Sequence, residues 1–206
     1  MIFVESPLTK KEECIAYYTQ LGFDLCDEQG VYLAKEKRFS VILNPKINSQ
    51  VALHIYESKK TESLISPSGV LVHLFEHESP YALGGKFSIL GNYSGVSLET
   101  NSLEDSFTFW RQLGFEGSFT PFPGWIELQK NGQQLSIQKS KLCPHVFHNP
   151  SLTFFNVQKN QEIIQKIKIA KLPIDEEVRF SQQEEIAQNI ILRNPGGIGF
   201  FIFNDC

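Results

Sequence analysis

"VSLETNSLEDSFTFWRQLGFE", residues 96 to 116, reads as a strand, a capped helix and a helix stop in twenty-one residues. Val96, Leu98 and Thr100 alternate with Ser97 and Glu99, the period of a half-buried strand. Ser102 stands before an apolar helical stripe of Leu103, Phe107 and Trp110, with Asp105 at the third position of a shortened capping box. Gly114 falls where a helix stops in the left-handed conformation. The stretch also has a twin. "YYTQLGFDL" at 17–25 matches "FWRQLGFEG" at 109–117, so Gln-Leu-Gly-Phe recurs 112 − 20 = 92 residues later. Thr9 and Glu12 fit a capping box before the first copy. Cys14, Tyr18 and Leu21 mark one face of its helix, and Gly22 its end.

The duplication organises the rest of the chain. After the second helix come strands in "EGSFT", "GWIELQK" and "QQLSIQK", punctuated by Pro121, Pro123, Gly124 and an Asn131-Gly132 turn. That is a β-α-β-β-β unit. It recurs from Ser151: "SLTFFNV" is a strand, and 158–172 is a helix with Ile163, Ile167 and Ala170 inward. "IDEEVRFS", "IAQNIIL" and "GIGFFIF" complete the unit. A fourth copy lies at 51–76, where the segment between the strands "VALHIYE" and "GVLVHLFE" is too short for a full helix. Its Ser66-Pro67-Ser68-Gly69 turn mirrors Asn194-Pro195-Gly196-Gly197. The reading is an α+β fold of tandem βαβββ units forming cup-shaped mixed sheets. It has an abbreviated module at 1–78, a linker at 79–87 and a complete module at 88–206.

Composition narrows the function classes. The chain has 206 residues, a formal charge of −4 and scattered Lys and Arg, which argues against a nucleic-acid surface. No apolar run reaches membrane-span length, and Met1 leads directly into strand-like sequence without a signal peptide. Cys14, Cys26, Cys143 and Cys206 lack paired spacing, as expected of reduced thiols in a cytoplasmic protein.

The segment 96–116 and "LRNPGGIGFFIF" at 192–203 resemble the vicinal oxygen chelate superfamily, which includes glyoxalases, bleomycin-resistance proteins and extradiol dioxygenases. The likeness covers most of 90–206 and, less closely, 1–76. It implies βαβββ units paired edge to edge into a cup, with metal ligands on the inner strand faces. Carried over by position, the ligands of the second module become Gly95, Ser151, Ser136 and Phe201, none a usual metal ligand. In the first module they become Met1 or Phe3, Val51 and His73. His73 and His77 share a strand face but sit roughly 13 Å apart, too far for one ion. The expectation is therefore no metal and no cofactor. Weak alternatives are His73, and the loop "CPHVFH" with Cys143, His145 and His148, which could converge on zinc or simply form a linker.

Alternation sorts the second cup. Ser97, Glu99, Trp125, Glu127, Ser136, Gln138, Thr153, Phe155, Phe201 and Phe203 should face inward, a wall polar on one half and aromatic on the other. Such a wall suits a small, partly aromatic ligand, or side chains that fill the cup themselves. Glu99 and Glu127 could act as a carboxylate pair or stay solvated. Arg179 could meet an anionic group or sit on the rim. The leading expectation is a metal-independent protein that binds or sequesters a small molecule. A metal-dependent lyase, isomerase or dioxygenase of the superfamily is the alternative. A structural or interaction module, with a homodimer covering the first module's strand edge, is a third.

Overall fold

Each Gln-Leu-Gly-Phe copy closes the first helix over one of two mixed β-sheets. The computed structural model describes residues 1–8, 10–28, 30–46, 50–181 and 185–204. The first sheet uses β1 (Ile2–Pro7), β2 (Asp24–Glu28), β3 (Val31–Lys35), β4 (Ser40–Asn44), β5 (Ala52–Ile55), β6 (Glu62–Ile65) and β7 (Leu71–Leu74). Helix α1 (Lys11–Gln20) follows β1. The strand order is β2-β3-β4-β1-β5-β7-β6.

The second sheet begins with β8 (Tyr93–Thr100), α2 (Leu103–Gln112), β9 (Glu116–Phe119), β10 (Trp125–Lys130) and β11 (Gln133–Lys139). It continues through β12 (Ser151–Phe155), α3 (Asn160–Ile169), β13 (Glu176–Val178), β14 (Asn189–Arg193) and β15 (Gly199–Phe203). Its order is β13-β14-β15-β12-β8-β11-β10-β9. In each sheet the opening strands of two units pair antiparallel at the centre. Each opening strand also pairs in parallel with the last strand of its own unit. These are tandem βαβββ units curled into cups, the fourth of them lacking its helix and one strand. The strand β6, in that fourth unit, has no counterpart in the sequence reading.

Local chemistry explains the helix boundaries. Ser102 Oγ accepts from Asp105 N at 3.3 Å, and Gly22 and Gly114 both take φ +85° at the helix stops. For α1 the residue at the cap position is Lys10, without a side-chain cap; the Thr9 part of the expected box lies outside the described residues. A short 3₁₀ turn at Val157–Lys159 precedes α3, so that helix starts later than the pattern implies. Ile163, Ile164 and Ile167 are its buried positions, while Ala170 is only partly covered.

One face of most strands feeds a continuous apolar core. Ile2, Val4, Leu53 and Val72 of the first sheet join it, with Val96, Leu98, Leu135 and Phe154 of the second and the fully buried Trp110 of α2. The alternate residues face the two cups. Among the described residues no helix is long and apolar enough to cross a membrane.

Candidate functional site

In the first cup β1, β5 and β7 lie side by side, β1 antiparallel to β5 and β5 parallel to β7. The register sets Phe3 opposite His54 and His54 beside His73, while Glu5 pairs with Ala52. Since Ile2 and Val4 point to the core, Phe3 and Glu5 point into the cup, and the same alternation turns His54 and His73 inward. Glu5, His54 and His73 thereby converge, each offering a ligand atom within 4.8 Å of the others. Among the described residues no other group of His, Cys, Asp and Glu meets that condition.

The geometry around the three groups is defined by their neighbours. Glu5 Oε2 lies 3.0 Å from His54 Nε2, and Glu5 Oε1 accepts from Asn44 Nδ2 at 2.7 Å. His73 Nδ1 is 2.7 Å from Ser63 Oγ, which fixes its ring and leaves Nε2 for the cup. Glu5 is 3% exposed and His54 8% exposed, so a carboxylate and an imidazole are held largely away from water. Burial pushes the Glu5 carboxyl up, but the hydrogen bond and charge of His54 outweigh it and hold it below its ordinary value. Burial, then the neighbouring His54, lowers the His73 imidazole, with Glu5 pulling the other way. The neutral imidazole and ionised carboxylate so favoured are the forms that ligate metals.

These residues fit a divalent first-row cation. Two imidazoles and one carboxylate on three adjacent strands form the facial set used by non-haem iron(II). Two donors of one such cation, each about 2.1 Å from it at a right angle, stand about 3.0 Å apart, as Glu5 and His54 do. Ser63 and Asn44 supply the orienting hydrogen bonds that ligands of this kind usually receive. His54 departs from that pattern, because its Nδ1 is buried without a partner. Aromatic rings pack beside the triad: Tyr56 stacks on Phe75 at 4.7 Å, and Phe3 meets both Tyr56 and Tyr81 edge-on at 5.8 Å. His77 meets Tyr56 and Phe75 at tilted angles and stays outside the triad.

The expectation of no metal site rested on placing the ligand positions at Met1 or Phe3, Val51 and His73. The structure instead brings His73 together with Glu5 and His54. A two-residue slip on β1 keeps the same face, so alternation alone could not separate Phe3 from Glu5. Val51 lies just before β5 and out of phase with His54.

The second cup is built differently. The Asn194-Pro195-Gly196-Gly197 turn before β15 matches Ser66-Pro67-Ser68-Gly69 before β7, which aligns Phe201 with His73. Strand pairing then aligns Thr153 with His54 and Ser97 with Glu5. The positions of Glu5, His54 and His73 in the first cup thus correspond to Ser97, Thr153 and Phe201 in the second. Gly95 and Ser151 lie two residues from the aligned positions on their strands. Ser97 Oγ lies 3.5 Å from Thr153 Oγ1, which donates to Gly95 O at 2.9 Å.

A cavity of about 600 Å³ opens in this cup. Ser97, Trp125, Glu127, Ser136, Gln138, Thr153, Phe155, Phe201 and Phe203 all line it. Glu99 and Arg179 do not. Glu99 accepts from Gln138 Nε2 at 3.2 Å, and Arg179 pairs with Glu177 on β13 at 2.9 Å. The register sets Glu127 beside Ser136, Ser136 beside Ser97, and Glu99 beside Gln138. Glu99 and Glu127 are therefore two strands and two residues apart, on the order of 11 Å, and form no carboxylate pair. In the "CPHVFH" loop the imidazoles turn to separate acids. His145 Nδ1 meets Glu176 Oε1 and His148 Nε2 meets Asp175 Oδ2, both at 2.8 Å. Cys143, His145 and His148 do not converge as a ligand group.

No protein-family model matches the sequence, and no curated protein matches it. Solved structures do match by shape. A catechol 2,3-dioxygenase superposes with TM-score 0.60 at 10% identity, covering 97% of this chain and 85% of its own. The 2,3-dioxygenase LapB from Pseudomonas sp. KL28 gives 0.56 at 14%, covering 99% and 91%. The 2,2',3-trihydroxybiphenyl 1,2-dioxygenase from Sphingomonas wittichii strain RW1 gives 0.56 at 13%, covering 97% and 88%. At these identities the likeness concerns the fold. The chain has the vicinal oxygen chelate fold, in the tandem arrangement seen in extradiol dioxygenases.

Proposed function

We propose that the protein is a metal-dependent enzyme of this fold, with a divalent cation, best iron(II), held by Glu5, His54 and His73. The convergence of these three side chains from three neighbouring strands carries the reading. Among the lyase, isomerase and dioxygenase chemistries considered for the fold, two imidazoles and one carboxylate favour the dioxygenase. When bound, the cation would supply a Lewis acid with open positions for neighbouring oxygens of a small substrate.

The chain's own residues do the rest. Asn44 holds the Glu5 carboxylate and Ser63 holds the His73 ring, so neither ligand needs to reorganise. Phe3, Tyr56, Phe75 and Tyr81 give the surroundings an aromatic, water-poor character that suits an aromatic substrate. Cysteines without paired spacing agree with a reducing cytoplasmic setting.

Anaerobic titration with ferrous iron, followed by calorimetry and metal analysis, tests the site. One equivalent should bind to the native protein and none to His54→Ala or His73→Ala. Oxygen uptake on adding catechol as a probe then tests the reaction class. Failure of the native protein to hold a stoichiometric transition metal would overturn the proposal. So would unchanged binding in both variants.

A further inference from the structure

We infer that the second cup is a separate binding site for a flat aromatic molecule carrying no negative charge. This goes beyond the metal centre, since the cavity is in the other sheet and its register-equivalent positions are Ser97, Thr153 and Phe201.

Three features define the ligand. The cavity of about 600 Å³ is large enough for a bicyclic aromatic with short substituents. One wall is made of rings: Phe201 and Phe203 stack at 5.1 Å with an interplanar angle of 16°, and Phe155 leans on Phe203 at 5.3 Å. Trp125 lines the same cavity from β10. The strands between these rings, β12, β8 and β11, offer neutral hydrogen-bonding groups that are nearly buried: Ser97 is 7% exposed, Thr153 6% and Gln138 5%. A planar ring laid against these aromatics, with one or two polar substituents toward these side chains, satisfies both sets of groups.

Charge then selects among such molecules. Among the described residues, Glu116 and Glu127 line the cavity and no Lys or Arg does. His145, also on the wall, is engaged by Glu176. The same carboxylate accepts from Val146 N at 2.7 Å, so Glu176 ties this part of the wall to β13. An anionic ligand would meet two carboxylates without a compensating cation. A neutral or cationic one meets complementary charge.

Calorimetric titration with tryptamine, indole-3-acetamide and indole-3-acetate tests the inference, because the three probes share a shape and differ in charge. Tryptamine and the amide should bind, and the acetate about tenfold more weakly or not at all. Trp125→Ala should weaken both binding probes. Glu127→Lys, at an exposed position, should reverse the order of tryptamine and acetate while leaving the melting temperature unchanged. His73→Ala should leave all three affinities as in the native protein, which separates this site from the metal centre. Absence of binding by all three probes, an acetate preference in the native protein, or indifference to both Trp125→Ala and Glu127→Lys would overturn the inference. Loss of tryptamine binding in His73→Ala would do so as well.

Discussion

The two cups share one strand plan and differ in what their inner faces carry. At matched register the first holds Glu5, His54 and His73, and the second holds Ser97, Thr153 and Phe201. In the first, Tyr81 and Leu83, from the segment after the first sheet, pack with Phe3, Leu33, Ile42 and Tyr56. The second keeps a cavity of about 600 Å³. The contrast teaches that the sheet fixes where a side chain points, whereas three side chains decide whether a cup offers metal ligands or a ring-lined hollow.

The strongest test is a transplant. Combining Ser97→Glu, Thr153→His and Phe201→His should give the second cup a ligand set, raising bound metal from one equivalent to two by elemental analysis. If strand register alone does not determine convergence, the count will stay at one. A smaller effect is expected from Ser63→Ala, which frees the His73 ring. Metal affinity should fall about 10–100-fold, as measured by competition with a chelator, while the ligands themselves remain. A change in the second cup, Ser136→Ala, should leave metal affinity untouched. Smallest is Tyr81→Ala, which removes a partly buried ring from the first cup. It should cost about 1–2 kcal/mol in denaturant unfolding and leave the metal stoichiometry at one.

Much of this plan was legible in the residues. The Gln-Leu-Gly-Phe repeat and the two Pro-Gly turns announce duplicated units, and alternation places nine of the eleven proposed cup residues on the cavity wall. The pattern failed where it had no anchor. In "IFVESP" the core residues Ile2 and Val4 identify the inner face but not which inner residue is level with the next strand. That requires the pairing of β1 with β5, a contact between residues about fifty positions apart. His54 was hidden for the same reason, since "VALHIYE" gives no sign of which residue sits beside His73. Arg179, left open between an anion contact and the rim, lies just past the three-residue β13, where Glu177 two positions away captures its side chain. The imidazoles of the "CPHVFH" loop have carboxylate partners some thirty residues downstream, which local spacing cannot reveal.

One pair of contacts gives β1 a wider significance. Gln133 exchanges side-chain hydrogen bonds with both the amide and the carbonyl of Ile2, and Asn194 donates to the hydroxyls of Ser6 and Tyr18 at 3.1 and 2.9 Å. The strand bearing Glu5 is thus clamped at both ends by residues 131 and 188 positions further along the chain. A fragment stopping before Tyr93 would keep all three ligands in its sequence yet lose both clamps. The half of the molecule bearing Glu5, His54 and His73 borrows its alignment from the half that carries none of the three.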